Sequence, residues 1–327
     1  MYFNQVFLVA TESCDSQCTA CDYWLNKKPR FVAPAFIEDD LSPFLNANKI
    51  PVVCISGGEP TLHPELGRIV RSIRSAGPSL TLTTSTTGLH NWFDEIRGGI
   101  SNYLISLDGA DRETYAASRG IDYFDAVVAW INRIVSETDS EVAVSCVLQA
   151  SNVGNVEQIY DLCMKLGVHR LYFRVPDLKT TAFGRRGAVR RKTLEQVAVS
   201  ESDVTNLRFQ VARLLERDAS NRILGQSHDA LNRKVKFFEC VAHSAPYREE
   251  DLMCTVPLLS LVIEPSGNCK PCFFLPHEQP FDQAPASGRA FTEVYERMLN
   301  DADFRLSWCN ACQQFDGHKC RPKGPIQ

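Results

Sequence analysis

Hydrophobic positions change period repeatedly along the first 176 residues. Short runs rich in β-branched residues alternate with stretches in which apolar side chains recur every three to four positions. Tyr2–Ala10 reads as a strand and Pro51–Ser56 (PVVCIS) as a buried one. Pro64–Ala76 is an amphipathic helix with Leu66, Ile69, Val70 and Ile73 on one face. The rhythm continues through strands at Leu80–Thr84, Tyr103–Leu107, Glu141–Leu148 and Arg170–Val175. Helices fall between them at Tyr123–Val135 and Val156–Leu166. Such alternation builds right-handed βαβ units and a parallel sheet. Six units by about residue 176 predict an α/β fold, a partial (β/α)6 barrel rather than a closed eightfold one.

Beyond residue 180 the pattern changes. Arg185–Lys192 (RRGAVRRK) holds five basic residues in eight, and a solvated loop is its default reading. Ser202–Arg217 reads as a helix with Val204, Leu207, Val211, Leu214 and Leu215 as its stripe, and a second helix is expected over Asn221–Phe238. The tail from Tyr247 shows one strand, Leu259–Ile263, a Pro-Ser-Gly turn and a helix near Phe291–Leu299. The expected organisation is a barrel at 1–190, a helical linker completing it at 191–246, and a small C-terminal α+β subdomain at 247–327.

Composition narrows the class. Of 327 residues 44% are hydrophobic and 23% charged, which fits a globular chain and excludes a disordered one. No apolar run reaches membrane-spanning length, and Met1–Ala10 lacks the basic start of a signal peptide. The expected location is cytoplasmic. A net charge of −4 gives no footprint for nucleic acid, and radical modification of RNA is disfavoured on that ground.

The thirteen cysteines change the picture. Three crowd positions 14 to 21, six fall between 254 and 320, and four lie between. A disulfide framework needs no such triplets; metal centres do. Cys14-Asp-Ser-Gln-Cys18-Thr-Ala-Cys21 places three thiols on a loop just after the first strand. Iron–sulfur clusters normally take four cysteines, so three with no neighbour leave one iron open to another ligand. The competing readings are buried inert thiols or a zinc site completed from afar.

This triplet resembles the signature of the radical SAM superfamily, and the resemblance covers residues 4–180. It implies a [4Fe–4S] cluster on Cys14, Cys18 and Cys21 whose open iron binds S-adenosylmethionine (SAM). It also implies reductive cleavage of SAM to methionine and a 5′-deoxyadenosyl radical, fed by a flavodoxin- or ferredoxin-type donor. Gly57-Gly58-Glu59-Pro60 is similar to the motif that receives the SAM ammonium, with Glu59 as its negative partner. Ser85, within Thr84–Gly88 (TSTTG), falls where that family has a polar strand end. Ser106 and Asp108 in Ser-Leu-Asp-Gly look like its ribose- and substrate-facing residues. Ser145, Gln149 and Arg174 are further candidates for the ribose or carboxylate. The residue before the third cysteine, often aromatic in the family, is Ala20 here, with Tyr23 and Trp24 as possible substitutes.

Two C-x2-C pairs, 269/272 and 309/312, invite a zinc ribbon. Gly267-Asn-Cys-Lys-Pro-Cys272, with Cys254 upstream and Cys309-x2-Cys312 downstream, instead resembles the Twitch subdomain, a shortened SPASM extension. That resemblance implies a second, auxiliary [4Fe–4S] cluster on Cys254, Cys272, Cys309 and Cys312. Cys269 and Cys320 are left over. Cys240 and Cys269 are candidate hydrogen-atom donors, against a bland reading as inert thiols.

Relatives with such extensions tailor antibiotic sugars and nucleosides or modify ribosomally made peptides. The first cluster begins at residue 14, leaving no room before it for a leader-binding domain, so a small sugar- or nucleoside-type substrate is expected. Epimerisation, decarboxylation and dehydrogenation compete as outcomes; a uronate carboxylate would need a clamp from Arg174, Arg185 or Arg186. A non-catalytic iron–sulfur or zinc protein is the alternative from another class.

Overall fold

A computed structural model describes residues 4–247, 252–254, 256–275, 279–280 and 320–322. Six parallel strands come first: β1 (Gln5–Thr11), β2 (Val52–Gly57), β3 (Ser79–Thr84), β4 (Asn102–Ser106), β5 (Glu141–Val147) and β6 (Arg170–Arg174). Helices α1 (Ser42–Ala47), α2 (Leu66–Ser75), α3 (Arg112–Arg119), α4 (Phe124–Glu137) and α5 (Val156–Lys165) lie in the crossovers. Each expected strand forms within a few residues of its expected place.

Strand alternation sorts the side chains between two faces. Leu8, Val53, Ile55, Leu82, Tyr103, Ile105, Val144 and Phe173 are buried together with Ile69, Val70, Ile131, Ile134 and Ile159 of the helices, in one continuous core. The opposite face carries Phe7, Ser56, Thr83, Ser106, Ser145 and Arg174, all lining one cavity. The period of two therefore makes one wall of each strand structural and the other chemical.

The helices at 191–246 close an edge. They are α6 (Arg191–Val197), α7 (Glu201–Asn221) and α8 (His228–Ala242). Ser200 opens α7 with a capping box, its hydroxyl accepting from the Asp203 amide and the Asp203 carboxylate accepting from the Ser200 amide. Between α7 and α8, the chain runs beside β6. The Leu171 amide donates to the Ile223 carbonyl at 2.7 Å, the Gly225 amide to the Leu171 carbonyl at 2.9 Å, and the Phe173 amide to Gln226 Oε1 at 2.7 Å. An exposed strand edge is thereby capped.

The described part of the C-terminal tail adds strands to the sheet. After β7 (Leu252–Cys254), β8 (Ser260–Ile263) pairs in parallel with β1, matching Leu8 to Ile263. Strands β9 (Asn268–Lys270) and β10 (Gln279–Pro280) follow antiparallel, giving the order β10-β9-β8-β1-β2-β3-β4-β5-β6. The tail thus continues the barrel sheet past β1. A separate ribbon joins β7 to β11 (Cys320–Pro322). The helix expected near 291–299 lies outside the described residues. Among the described residues no helix is long and apolar enough to cross a membrane.

Candidate active site

The cysteine loop leaves β1 at Thr11 and is held from four sides. From β2, the amides of Gly58 and Glu59 donate to the carbonyls of Thr11 and Ser13, each at 2.7 Å. At the end of α3, the carbonyls of Arg119 and Ser118 accept from Gln17 and Thr19 at 2.9 and 3.1 Å. Past β6, the Phe183 carbonyl accepts from the Asp22 amide at 2.9 Å. In and beside α6, the Thr193 hydroxyl donates to the Thr19 carbonyl and the Arg190 guanidinium to Asp22. Three different connections of the sheet fix one loop, which is the preorganisation a metal centre needs.

The glycine pair earns its place here through packing. Gly57 has φ +135°, and a Cβ there would sit 2.3 Å from the Thr11 carbonyl oxygen. A Cβ on Gly58 would sit 2.0 Å from the Ser13 carbonyl oxygen. Both contacts are with backbone that cannot swing aside. Gly58→Ala is expected to displace the cysteine loop, costing about 1–3 kcal/mol of stability and lowering the iron bound after anaerobic reconstitution. Thermal denaturation and iron analysis would check both; unchanged iron content would show that the loop tolerates the shift.

Cys14, Cys18 and Cys21 line a cavity of about 370 Å³ together with Gly57, Gly58, Glu59, Ser85, Ser106, Asp108, Ser145, Gln149 and Arg174. The residues expected to bind cofactor thus line the same cavity as the three cysteines. Burial pushes all three thiols above their ordinary range, Cys21 to about 12. The charges of the neighbouring cysteines push Cys14 and Cys21 further, while Arg119 favours the thiolate at Cys18. Such thiols become thiolates by binding iron and releasing protons. Among the described residues, no three His, Cys, Asp or Glu side chains stand close enough to hold a single metal ion. A cubane puts each cysteine on a different iron, so the donor set suits a cluster better than a lone zinc.

Glu59 also has a structural role. Its Oε1 accepts from the Thr61 amide and the hydroxyls of Thr61 and Thr84, and its Oε2 from the amide and hydroxyl of Ser85. Five donors occupy a carboxylate with about four lone-pair sites. Its side chain, 1% exposed, therefore ties the end of β2 to the end of β3.

Sequence reasoning missed Arg119. It lines the cavity from the last turn of α3 and donates to Asp108 Oδ2 at 3.2 Å. Burial works against its charge, but the neighbouring Cys18 and Asp108 outweigh that and hold it protonated well above its ordinary range. Burial raises the Asp108 carboxyl, and Arg119 and the Val147 amide, 2.6 Å away, oppose that rise. Among the described residues Arg119 Nε and Gln149 Oε1 are buried without a hydrogen-bond partner. Both residues also line the cavity. The available signal was Arg119-Gly120 closing a helix that begins four residues after Asp108.

Aromatic residues form another wall. Phe183 stacks on Phe273 at 6.3 Å and meets Phe274 edge-on at 5.8 Å; Phe7 meets Phe273 at 5.4 Å. All four line the cavity. Ala20 lines it too but offers no ring. Tyr23 is buried against Val9 and Val262, and Trp24 donates to the Cys21 carbonyl. Phe183 has φ +58°, a strained setting for a non-glycine residue. Its loop is stapled by a buried pair in which Arg185 donates to Asp177 Oδ2 at 3.1 Å and to the carbonyls of Asp177 and Thr180.

That staple removes Arg185 as a carboxylate clamp, and Arg186 donates to Asn26 Oδ1. Of the three proposed clamps only Arg174 lines the cavity. The basic run is in part a set of ties to the cysteine loop rather than a free solvated segment. The candidate hydrogen donors also sit elsewhere. Cys240, on α8, lines a surface pocket with Glu201 and Arg208 of α7, because α8 packs on that helix. Cys269 pairs across from Ile263, and both belong to the core on the far face of the sheet. Cys272 does line the cavity. Cys254 lies in β7, and Cys309 and Cys312 lie outside the described residues.

Comparison with known proteins agrees with this geometry. The Radical SAM superfamily profile matches residues 8–163. Those residues belong to the radical SAM superfamily. A probable GTP 3′,8-cyclase of Pyrococcus abyssi is 36% identical over 85 residues, 26% of this chain and 28% of the relative. One from Saccharolobus solfataricus is 25% identical over 169 residues, 50% of this chain and 54% of the relative. The chain thus spans about half or less of these relatives. Among solved structures, Streptococcus suis SuiB bound to S-adenosylmethionine superposes with a TM-score of 0.65 at 15% identity, over 95% of this chain and 72% of that one. The protein anSMEcpe with bound AdoMet and the Kp18Cys peptide gives 0.66 at 15% identity, over 96% and 91%. At such identities these likenesses show the fold.

Proposed function

We propose that the chain binds a [4Fe–4S] cluster on Cys14, Cys18 and Cys21, cleaves SAM reductively, and abstracts hydrogen from a small sugar- or nucleoside-type substrate. The observation that carries this reading is the convergence of three cysteines and the polar ends of β2 to β6 on one cavity. When bound, the cluster and SAM supply a carbon-centred radical able to take an unactivated hydrogen.

The protein's own part is orientation and exclusion of water. Arg119 lines the cavity with a guanidinium that suits the SAM carboxylate. Ser106, Ser145 and Gln149 offer hydroxyl and amide partners to a ribose from adjacent strands. Ser106 and Ser145 are register partners. Asp108 holds Arg119 in place, and Glu59 holds Ser85. The aromatic wall keeps water from the reacting carbons. The nucleotide-acting relatives support a nucleoside or sugar substrate. A ribosomal peptide is the second reading, favoured by superposition on structures solved with peptide substrates. A second cluster on Cys254, Cys272, Cys309 and Cys312, an external flavodoxin- or ferredoxin-type reductant, and a cytoplasmic site of action belong to the same proposal.

Deuterium transfer tests it. Reconstituted enzyme with SAM and dithionite is expected to carry deuterium from a sugar-labelled nucleoside or nucleotide into 5′-deoxyadenosine, read by mass spectrometry. Label arriving only from a deuterated peptide would replace the small-substrate reading with the peptide one. SAM left intact by the reduced protein would overturn the reading entirely.

A further inference from the structure

The basic run at 185–192 packs against a second basic segment, residues 22–30, far earlier in the chain. Arg186 donates to Asn26 Oδ1 at 3.1 Å and Arg190 to Asp22 Oδ1 at 2.9 Å. The Arg190 guanidinium also lies 5.4 Å from the centre of the Trp24 ring. Apart from the buried Arg185, the two segments carry seven basic side chains. Three carboxylates answer them: Glu12 at Arg30, Asp22 at Arg190 and Glu195 at Arg191. Lys27, Lys28 and Lys192 are exposed and, among the described residues, pair with no carboxylate. This positive surface stands out on a chain of net charge −4. It adjoins the cysteine loop. The Trp24 indole N–H donates to the Cys21 carbonyl at 2.9 Å, and the Thr193 hydroxyl donates to the carbonyl of Thr19, next to Cys18, at 3.0 Å. Leu25 and Leu194, both exposed, flank these charges in the sequence. Exposed apolar side chains among charged ones are the make-up of a transient protein interface.

We infer that residues 24–30 and 185–192 together form the docking surface for an acidic one-electron donor protein, whose electron enters beside Cys21. This rests on the reading of a reducible cluster on Cys14, Cys18 and Cys21. One electron leaves the donor's reduced flavin or iron–sulfur centre and arrives on that cluster, and no bond forms or breaks in the transfer. Electron tunnelling weakens steeply with distance, so the donor must dock close to the cysteine loop. Opposite charges speed such an encounter and orient it. Lys27, Lys28, Arg191 and Lys192 do not line the main cavity, so a partner held there leaves the cavity open to SAM and substrate. A nucleic acid or acidic peptide held there as substrate would have to reach past these residues into a cavity they do not line.

The test combines Lys27→Glu, Lys28→Glu and Lys192→Glu in the full-length reconstituted protein and uses a flavodoxin as the acidic donor. Calorimetric titration should show wild-type protein binding flavodoxin, with affinity lowered about tenfold or more by the triple variant and lowered again as NaCl is raised. Formation of 5′-deoxyadenosine driven by reduced flavodoxin should fall by a similar factor, while formation driven by dithionite, which needs no docking, should be unchanged. Equal affinity and equal flavodoxin-driven rates in variant and wild type would overturn the docking surface and spare the cluster. No product from wild-type protein with dithionite would instead overturn the cluster reading, and the titration would still report on the surface. Tighter binding of RNA or of a polyglutamate peptide than of flavodoxin, lost in the same variant, would overturn the donor and make the surface a substrate dock. Carbodiimide cross-linking of wild-type protein to flavodoxin guards against a misfolded variant. Mass spectrometry should find amide bonds from Lys27, Lys28 or Lys192 to flavodoxin carboxylates; cross-links confined to other lysines would overturn the inference.

Discussion

Alanine at Cys14, Cys18 or Cys21 is expected to reduce 5′-deoxyadenosine formation below detection while the protein stays folded. The three thiols sit on a loop fixed by β2, α3, the segment after β6 and α6, so removing one side chain leaves the scaffold intact and deletes one iron ligand. A cluster with two protein ligands at this site has no defined open iron. The checks are product analysis by mass spectrometry and circular dichroism on the same sample. Continued turnover in any one variant would place the reactive cluster elsewhere in the chain.

The second large effect is expected at the Asp108–Arg119 pair. Their side chains are 4% and 12% exposed and 3.2 Å apart. Removing one partner of a buried pair strands the other charge, typically at about 3–5 kcal/mol. Arg119→Leu should therefore lower stability by that order. It should also weaken SAM binding about tenfold to a hundredfold, the worth of one charged hydrogen bond. Arg119→Lys keeps the charge without the fork and should recover stability more than affinity. Calorimetric SAM titration of the reconstituted variants gives the affinity, and urea unfolding gives the stability. SAM binding unchanged in Arg119→Leu would make the pair purely structural.

The parallel sheet and the inner polar positions were legible because both are written locally. Strand runs such as Leu80–Thr84 and Tyr103–Leu107 advertise themselves by β-branched and aromatic content. Ser106 and Ser145 stand out because a period of two puts them on the face opposite Tyr103, Ile105 and Val144. What resisted reading depends on contacts between distant segments. Arg119 looks like an ordinary helix-ending residue until its helix is docked under Gln17 and Thr19. That Glu59 also ties β2 to β3 shows only once the hydroxyls of Thr61, Thr84 and Ser85 are seen to reach it. The motif Arg185–Lys192 reads as solvated until Asp177, Asn26 and Asp22 are found to receive three of its arginines. The resemblance set Cys272 apart from Cys269, and the pairing of β8 with β9 sends Cys269 to the core and leaves Cys272 at the cavity.

The pairing of β8 with β1 has a consequence for how such a chain can be shortened. Strand β1 carries the signature loop at its end, and its outer backbone groups bond to residues 259–263. Cutting the polypeptide after residue 246 would strip that strand of a neighbour and present a row of bare amides and carbonyls to other molecules. A minimal version retaining only the superfamily segment would be prone to self-association, and its loss of chemistry would say nothing about whether the tail takes part in turnover.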